Sequence, residues 1–335
     1  MDQPLTVEEL APGITRIALP VPGIDDGVNV HLLRGGGPTT LVDAAMPVVP
    51  HEAALAAGLA AAGAAVADVE QVLLTHHHVD HVGLAGWLVE AAGATVRTGA
   101  RVAEVLADPR TAYERELDWG ERHAGRHDAP PEVLASTRGA LAVLDGFRPV
   151  ADVVPLAEGD VVPAGDLELE VLERPGHSPT DVLLRDGAAA VAAVGDHLFA
   201  TAPLTPVLGS MVAPGARPAV AYLAALAETA ARGDRLVLTG HGPALRDAGA
   251  TIAARRERLD RRTARIAALL GPEPRSGWAI ARELWPSGPA SAYGLTRLAS
   301  VLASLELLED AGTARRVDAG DRVLWAAAGP RPTGE

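Results

Sequence analysis

The chain has 335 residues, 48% hydrophobic and 21% charged, a balance that fills a core and excludes the apolar-poor composition of a disordered chain. Its 29 basic residues, all arginine, face 43 acidic ones for a net charge of −14, which argues against a broad phosphate-binding surface and disfavours nucleic acid as a partner. Cysteine is absent, so disulfides, thiolate ligands and cysteine nucleophiles are excluded together, and any metal must rest on histidine and carboxylate.

The first ten residues, MDQPLTVEEL, are acidic and lack both a basic and an apolar signal region, so a cytoplasmic location is expected. Residues 14–21, 28–34 and 39–43 are short β-type runs separated by turn residues, notably Gly35-Gly36-Gly37-Pro38, and open the chain as a strand meander. An alanine-rich helix over 52–62 stops at Gly63. The wider apolar stretch 53–67 is interrupted by Gly58 and Gly63 and reads as a packed helix, not a membrane span, so no membrane partner is expected. The apolar run Val72-Leu73-Leu74 is a buried strand by its flanks, and Thr75-His76-His77-His78-Val79-Asp80-His81 follows directly, before a helix over 84–92 and a strand over 94–98. From 101 to 144 the pattern turns helical and polar, broken by Pro109 and Pro130-Pro131, as expected of an inserted cap. Strands resume near Val153 and recur over 167–172, 182–184, 190–194 and 236–238, with a helix over 218–231 before the last. Two rounds of strands with intervening helices predict an α+β fold of two face-to-face sheets covered by helices, a four-layer sandwich.

Past Arg246 an arginine-rich helix over 253–270 is followed by Gly271-Pro272-Glu273-Pro274, helices over 278–284 and 295–308, and a hairpin turning at Asp318-Ala319-Gly320. The expected organisation is a catalytic domain over 1–248, carrying the cap at about 101–150, and a winged-helix-like C-terminal domain over 249–335.

Six of the eleven histidines, His76, His77, His78, His81, His177 and His241, fall in three short segments, each just after a predicted strand. Side chains alternate along extended chain, so His76 and His78 point one way and His77 another, while Asp80 and His81 arrive one turn later to face a neighbouring point. His177 in Arg174-Pro175-Gly176-His177, Asp196 in Gly195-Asp196-His197 and His241 in Thr239-Gly240-His241-Gly242 complete the expected site. Imidazole and carboxylate without thiolate suit Zn²⁺, with Fe or Mn as substitutes, and seven ligands imply a pair of divalent metals. His77 and His197 read as neighbours of this site. The lone histidines His31, His51, His123 and His127 read as ordinary core or surface residues.

His76-x-His78-x-Asp80-His81, with His177, Asp196 and His241 downstream in order, resembles the HxHxDH signature of the metallo-β-lactamase superfamily over roughly residues 10–245. The resemblance implies an αββα sandwich with the metals at one edge of the two sheets. It places His76, His78 and His177 on a first metal, Asp80, His81 and His241 on a second, and Asp196 between them. Asp43 resembles the family's buried aspartate that supports the ligands. True β-lactamases of this fold usually lack the bridging aspartate or use a cysteine, and flavodiiron proteins replace the second motif histidine by glutamate. The ligand set therefore resembles the glyoxalase II, lactonase and thioesterase-like branch, with nucleases on the other side. The C-terminal segment, with Leu295, Leu298, Leu302, Leu305 and the Gly312 stop, resembles the winged helix of the lactamase-beta-2-like group, an arrangement unlike the glutathione-binding domain of glyoxalase II.

Two divalent metals sharing a bridging water would supply hydroxide without a side-chain nucleophile, with Asp80 as the catalytic group that accepts a hydrogen bond and shuttles the proton. The expected function is hydrolysis of a small-molecule ester, thioester or lactone, so the expected partner is an acyl substrate; the alternative is an endoribonuclease or phosphodiesterase of the lactamase-beta-2-like type. Tyr113, Trp119, His123 and His127 in the cap are candidates for lining the mouth. The recognition-position helix carries Arg297 against Glu306, Glu309 and Asp310, and Glu257 and Asp260 interrupt the arginine run at 255–265. The first favours packing or homodimerisation for that helix, the second a solvated, salt-bridged helix face, and both disfavour nucleic-acid binding.

Overall fold

In the computed structural model, residues 4–21, 24–135, 138–201, 211–213, 215–286 and 294–329 are described. The opening meander consists of β1 (Thr6–Ala11), β2 (Ile14–Val21), β3 (Ile24–Leu33) and β4 (Thr40–Val42), paired antiparallel in that order. The helix Val49–Ala61 then returns the chain, and β5 (Gln71–Leu73), β6 (Thr95–Gly99) and β7 (Val153–Leu156) add in parallel to complete a seven-stranded sheet. Parallel neighbours require crossovers, and each crossover covers the sheet. That is why every residue of β4 and β5 is buried.

A second sheet has the order β12-β11-β10-β9-β8, from β8 (Val161–Ala164), β9 (Leu167–Glu173), β10 (Val182–Asp186), β11 (Val191–Gly195) and β12 (Leu236–Thr239). Its pairings are antiparallel except β11 with β12, which are joined through the helix Pro218–Arg232. Ile14, Leu33, Val42 and Leu73 of the first sheet share one core with Leu169, Val171, Val182, Leu184, Ala193 and Leu238 of the second. The two sheets therefore face each other across apolar side chains, the sandwich expected from the sequence. Strands β1 and β8 are not among the predicted elements: β1 buries no side chain, so it has no apolar alternation, and β8 is a short edge strand interrupted by Pro163.

The chain divides into two compact units. The first comprises residues 1–113, 142–202 and 225–252, and the second comprises 114–141, 203–224 and 253–335. Most of the helical insertion thus groups with the C-terminal segment, and its residues 136 and 137 lie outside the described ones. Within the second unit residues 253–269 of the helix Ala248–Leu269, with the helices Gly277–Leu284 and Gly294–Asp310, accompany a three-stranded sheet, β13-β15-β14, formed by β13 (Arg275–Ser276), β14 (Ala314–Ala319) and β15 (Arg322–Ala327). Ser276 caps the second of these helices, accepting from Ala279 N at 3.2 Å. Ile266, Ile280, Leu298, Val301, Leu305, Val323 and Trp325 form this unit's own core. Trp119 stacks on His123 with ring centroids 4.6 Å apart, and His123 meets His127 edge-on at 5.1 Å. Among the described residues no helix is long and apolar enough to cross a membrane.

Several histidines are held neutral inside the fold. Burial, aided by His177 and Arg174, lowers the pKa of His197 to about 3, and burial likewise lowers His31 and His127 to about 3. A histidine whose folded pKa is depressed binds fewer protons folded than unfolded, so its contribution is present above the unfolded value and is lost progressively as pH falls from there to the folded value. Between pH 7 and pH 5 each such group should remove about 2 kcal/mol of stability. Urea unfolding of chelator-treated protein at the two pH values should show His197→Gln losing less stability than the wild type on acidification. Equal losses in both would mean that His197 is not the neutral buried group described.

Candidate metal centre

The parallel strands β4 and β5 end side by side, and the residues just past them begin the site. Asp43, one residue beyond β4, adopts a left-handed backbone (φ 63°) and is 2% exposed. Its carboxylate accepts from Thr75 N at 2.9 Å and from the Thr75 hydroxyl at 3.0 Å, and Oδ2 accepts from His81 Nδ1 at 2.9 Å. Thr75 Oγ1 in turn takes the Nδ1 proton of His76 at 3.0 Å. From the other side His241 Nδ1 donates to the carbonyl of Gly27 in β3. An imidazole whose Nδ1 donates presents Nε2 to its other face, so three rings are oriented by oxygen atoms behind them.

The presented atoms converge. One atom each from His76, His78, His177 and Asp196 lies within 4.8 Å of the others, as does one each from Asp80, His81 and His241. His78 Nδ1 is 3.1 Å from His76 Nε2 and 3.0 Å from His177 Nε2. The Asp196 carboxylate sits between the two groups, 3.5 Å from His177 Nε2, 3.4 Å from His81 Nε2 and 3.4 Å from His241 Nε2. Asp80 Oδ2 is 3.3 Å from His241 Nε2 and 3.7 Å from His81 Nε2. His81 Nε2 and Asp196 Oδ1 are buried with no hydrogen-bond partner. Five imidazoles and two carboxylates, with such orphaned atoms facing inward, fit divalent metal.

The metallo-beta-lactamase superfamily model matches residues 23–266, most of the chain and all of these residues. The chain belongs to this superfamily. It is similar to the probable metallo-hydrolase YqjP of Bacillus subtilis (strain 168), 27% identical over 82% of this chain and 85% of that one. Shorter stretches resemble a hydroxyacylglutathione hydrolase of Cereibacter sphaeroides, 34% identical over 39% of this chain and 34% of that protein, and a ribonuclease Z of a Mycobacterium species, 30% identical over 44% and 58%. The chain thus spans only about a third to just over half of the length of those two relatives. Among solved structures, a metallo-beta-lactamase family protein from Thermus thermophilus superposes with a TM-score of 0.78 at 26% identity, covering 95% of this chain and 100% of that one.

All seven residues expected as ligands meet at this edge, within the superfamily fold. His77 does not join them: its Nδ1 pairs with Thr180 Oγ1 at 2.8 Å. His197 turns to Thr229 Oγ1 at 3.0 Å, and His51 donates from Nε2 to Pro20 O at 2.9 Å. Tyr113 lies against the motif loop, its hydroxyl donating to the carbonyl of His77. Residues outside the expected set also shape the centre. Asn29, fully buried in β3, donates from Nδ2 to Thr239 O and Gly242 O, both at 2.8 Å, and its backbone N donates to Gly240 O at 2.8 Å. Thr75 is a second such residue. Neither belongs to a spacing pattern; the only sequence signal is a polar residue inside or beside a buried apolar run.

The charges explain why cations belong here. Burial opposes a charge on His81, yet Asp196, Asp80 and Asp43 outweigh it and raise its pKa well above the ordinary value. His241 is pushed up to about 10, against burial, by hydrogen bonds to Asp196 and Asp80. Burial raises Asp80 and Asp196, but His81 and His241 overcome it and hold both carboxylates below their usual range. His76, His78 and His177 are driven the other way, chiefly by burial, and stay neutral. Neutral imidazoles beside carboxylates that demand positive charge are good metal ligands, and protons compete with metal for the same nitrogens.

Such convergence leaves no room for a side chain at Gly240. A Cβ on Gly240 would lie 2.2 Å from Asp196 Oδ1 and 2.6 Å from His81 Cε1. Gly240→Ala should therefore destabilise by about 1–3 kcal/mol, the usual cost of forcing atoms into a packed site. Gly120→Ala, in a helix interior with nothing within 4 Å, should instead stabilise by about 0.5–1 kcal/mol. Paired thermal and urea melts of both variants check this contrast, and a neutral Gly240→Ala would disprove the packing described.

Proposed function

We propose that the chain is a dinuclear metal-dependent hydrolase of a small-molecule ester, thioester or lactone. The observation that carries this reading is the convergence of seven imidazole and carboxylate ligand positions on one sheet edge, in a chain without cysteine. His76, His78 and His177 would hold one divalent ion, Asp80, His81 and His241 a second, with Asp196 shared, and Zn²⁺ suits this donor set best. Ions held there supply Lewis acidity and lower the pKa of water toward neutrality.

The chain's own residues would do the rest. Asp80 is part-exposed while its ion-pair partner His81 is fully buried, which leaves the Asp80 carboxylate the accessible proton acceptor at the mouth. We assign its carboxylate the role of taking a proton from the attacking water and returning it to the leaving group. Asp43 and the Gly27 carbonyl would keep His81 and His241 aimed as charge changes during turnover. Similarity to a hydroxyacylglutathione hydrolase supports the carbonyl reading. Similarity to ribonuclease Z supports a second, phosphodiester cleavage, against which the net charge of −14 weighs. For the C-terminal segment we keep the winged-helix reading and a packing role. Its support is the succession of short strand, two helices and hairpin.

Metal-replete protein at low salt should hydrolyse members of a panel of acyl thioesters, lactones and aryl esters, and leave single-stranded RNA intact. Stripping by chelator should abolish turnover and zinc should restore it. His78→Ala and Asp80→Ala should each lose metal and activity together, by at least a hundredfold in kcat/KM. RNA cleavage that vanishes in Asp80→Ala would install the second reading, and full activity in either alanine variant would overturn both.

A further inference from the structure

The loop after His177 contains a buried polar cluster that the hydrolytic scheme does not use. Ser178, Thr180 and Asp181 are 1%, 8% and 4% exposed. The Asp181 carboxylate accepts from Ser178 N at 2.9 Å and from the Ser178 hydroxyl, closing the loop on itself. Ser178 Oγ also accepts from Thr180 N at 3.2 Å and lies 3.1 Å from Thr180 Oγ1. The cluster does not end there. Thr180 Oγ1 reaches across to the HxHxDH loop, accepting from His77 N at 3.2 Å and pairing with His77 Nδ1 at 2.8 Å. At the base of the same two loops Val182 N donates to Thr75 O at 2.9 Å.

His77 stands between His76 and His78, and the Thr180 loop begins at His177. Two loops that each deliver proposed ligands to the first group are therefore joined by the Thr180 hydroxyl, which the buried Asp181 carboxylate holds through Ser178, and the gap they span includes the 3.0 Å approach of His78 Nδ1 to His177 Nε2. A metal binds through that spacing, since ligand distances must match the ion within a few tenths of an ångström.

We propose that Thr180 and Asp181 are positioning residues that set the distance between the His76–His78 segment and His177, with His77 as the contact through which they act. None of the three touches substrate in this scheme. The motif's middle histidine would thus be a rivet between two ligand loops. The inference rests on the metal reading given above.

The test is cobalt(II) affinity, by competition with a chelator and by visible absorption, in the full-length protein and in Thr180→Val, Thr180→Ser and Asp181→Asn. Circular dichroism and melting of the chelator-treated proteins establish that each variant is folded. Thr180→Val keeps the side chain's shape but not its hydroxyl, and should weaken binding ten- to a hundredfold, the usual effect of removing a group behind a ligand. Thr180→Ser should restore wild-type affinity and spectrum, and Asp181→Asn should weaken binding at least tenfold. If Thr180→Val does not fold, the Asp181→Asn and Thr180→Ser results decide. Folded Thr180→Val or Asp181→Asn with wild-type affinity would overturn this inference while leaving the metal reading intact, as would Thr180→Ser as impaired as Thr180→Val. Wild-type protein that takes up no cobalt would overturn both, and is distinguished by needing no variant.

Discussion

The carboxylate of Asp43 is the point on which this structure turns. It is almost wholly buried, it sits where two parallel strands end, and it binds the first residue of the motif loop and one of its last. A buried carboxyl group is tolerated only when its polar atoms are hydrogen-bonded, and here they are paired with groups that thereby acquire a fixed direction. Asp43 makes these bonds from a left-handed backbone conformation, an uncommon one that the surrounding bonds must hold in place. Stability and function are thus entangled at one residue: what satisfies the carboxylate also aims the imidazoles.

Much of this was legible in the residue order. Strands placed by apolar runs, and histidines placed just beyond them, were enough to bring together residues separated by as many as 165 positions, from His76 to His241. Alternation along extended chain correctly separated His77 from His76 and His78. The groups behind the clustered imidazoles were less legible, for a physical reason. A ligand repeats a recognisable chemistry at a recognisable spacing, whereas Thr75, Asn29 and Thr180 act through single hydroxyl or amide groups that any buried strand end can contain. Their partners are mostly backbone atoms or distant residues, so no local pattern encodes them. Strand β1 went unread for the complementary reason: it has no buried face to print a period on the sequence.

The grouping of residues 114–141 with 253–335 is another feature that linear reading misses. Composition marks where a chain becomes helical but not which core those helices join. Ala124 and Ala129 share a cluster with Ile266 and Ile280, a partnership decided by packing between segments more than a hundred residues apart. An insertion can therefore belong to one unit by position and to another by contact.

The bond from His241 to the carbonyl of Gly27 joins residues 214 positions apart. Contacts of such sequence separation carry a large loop-closure entropy and are characteristic of slowly folding, non-local topologies. During synthesis, the ring that closes the group formed with Asp80 and His81 leaves the ribosome long after its anchor, with the entire first sheet already made. The centre therefore cannot close before residue 241 is made, and a nascent chain that has folded its meander still lacks His177, Asp196 and His241.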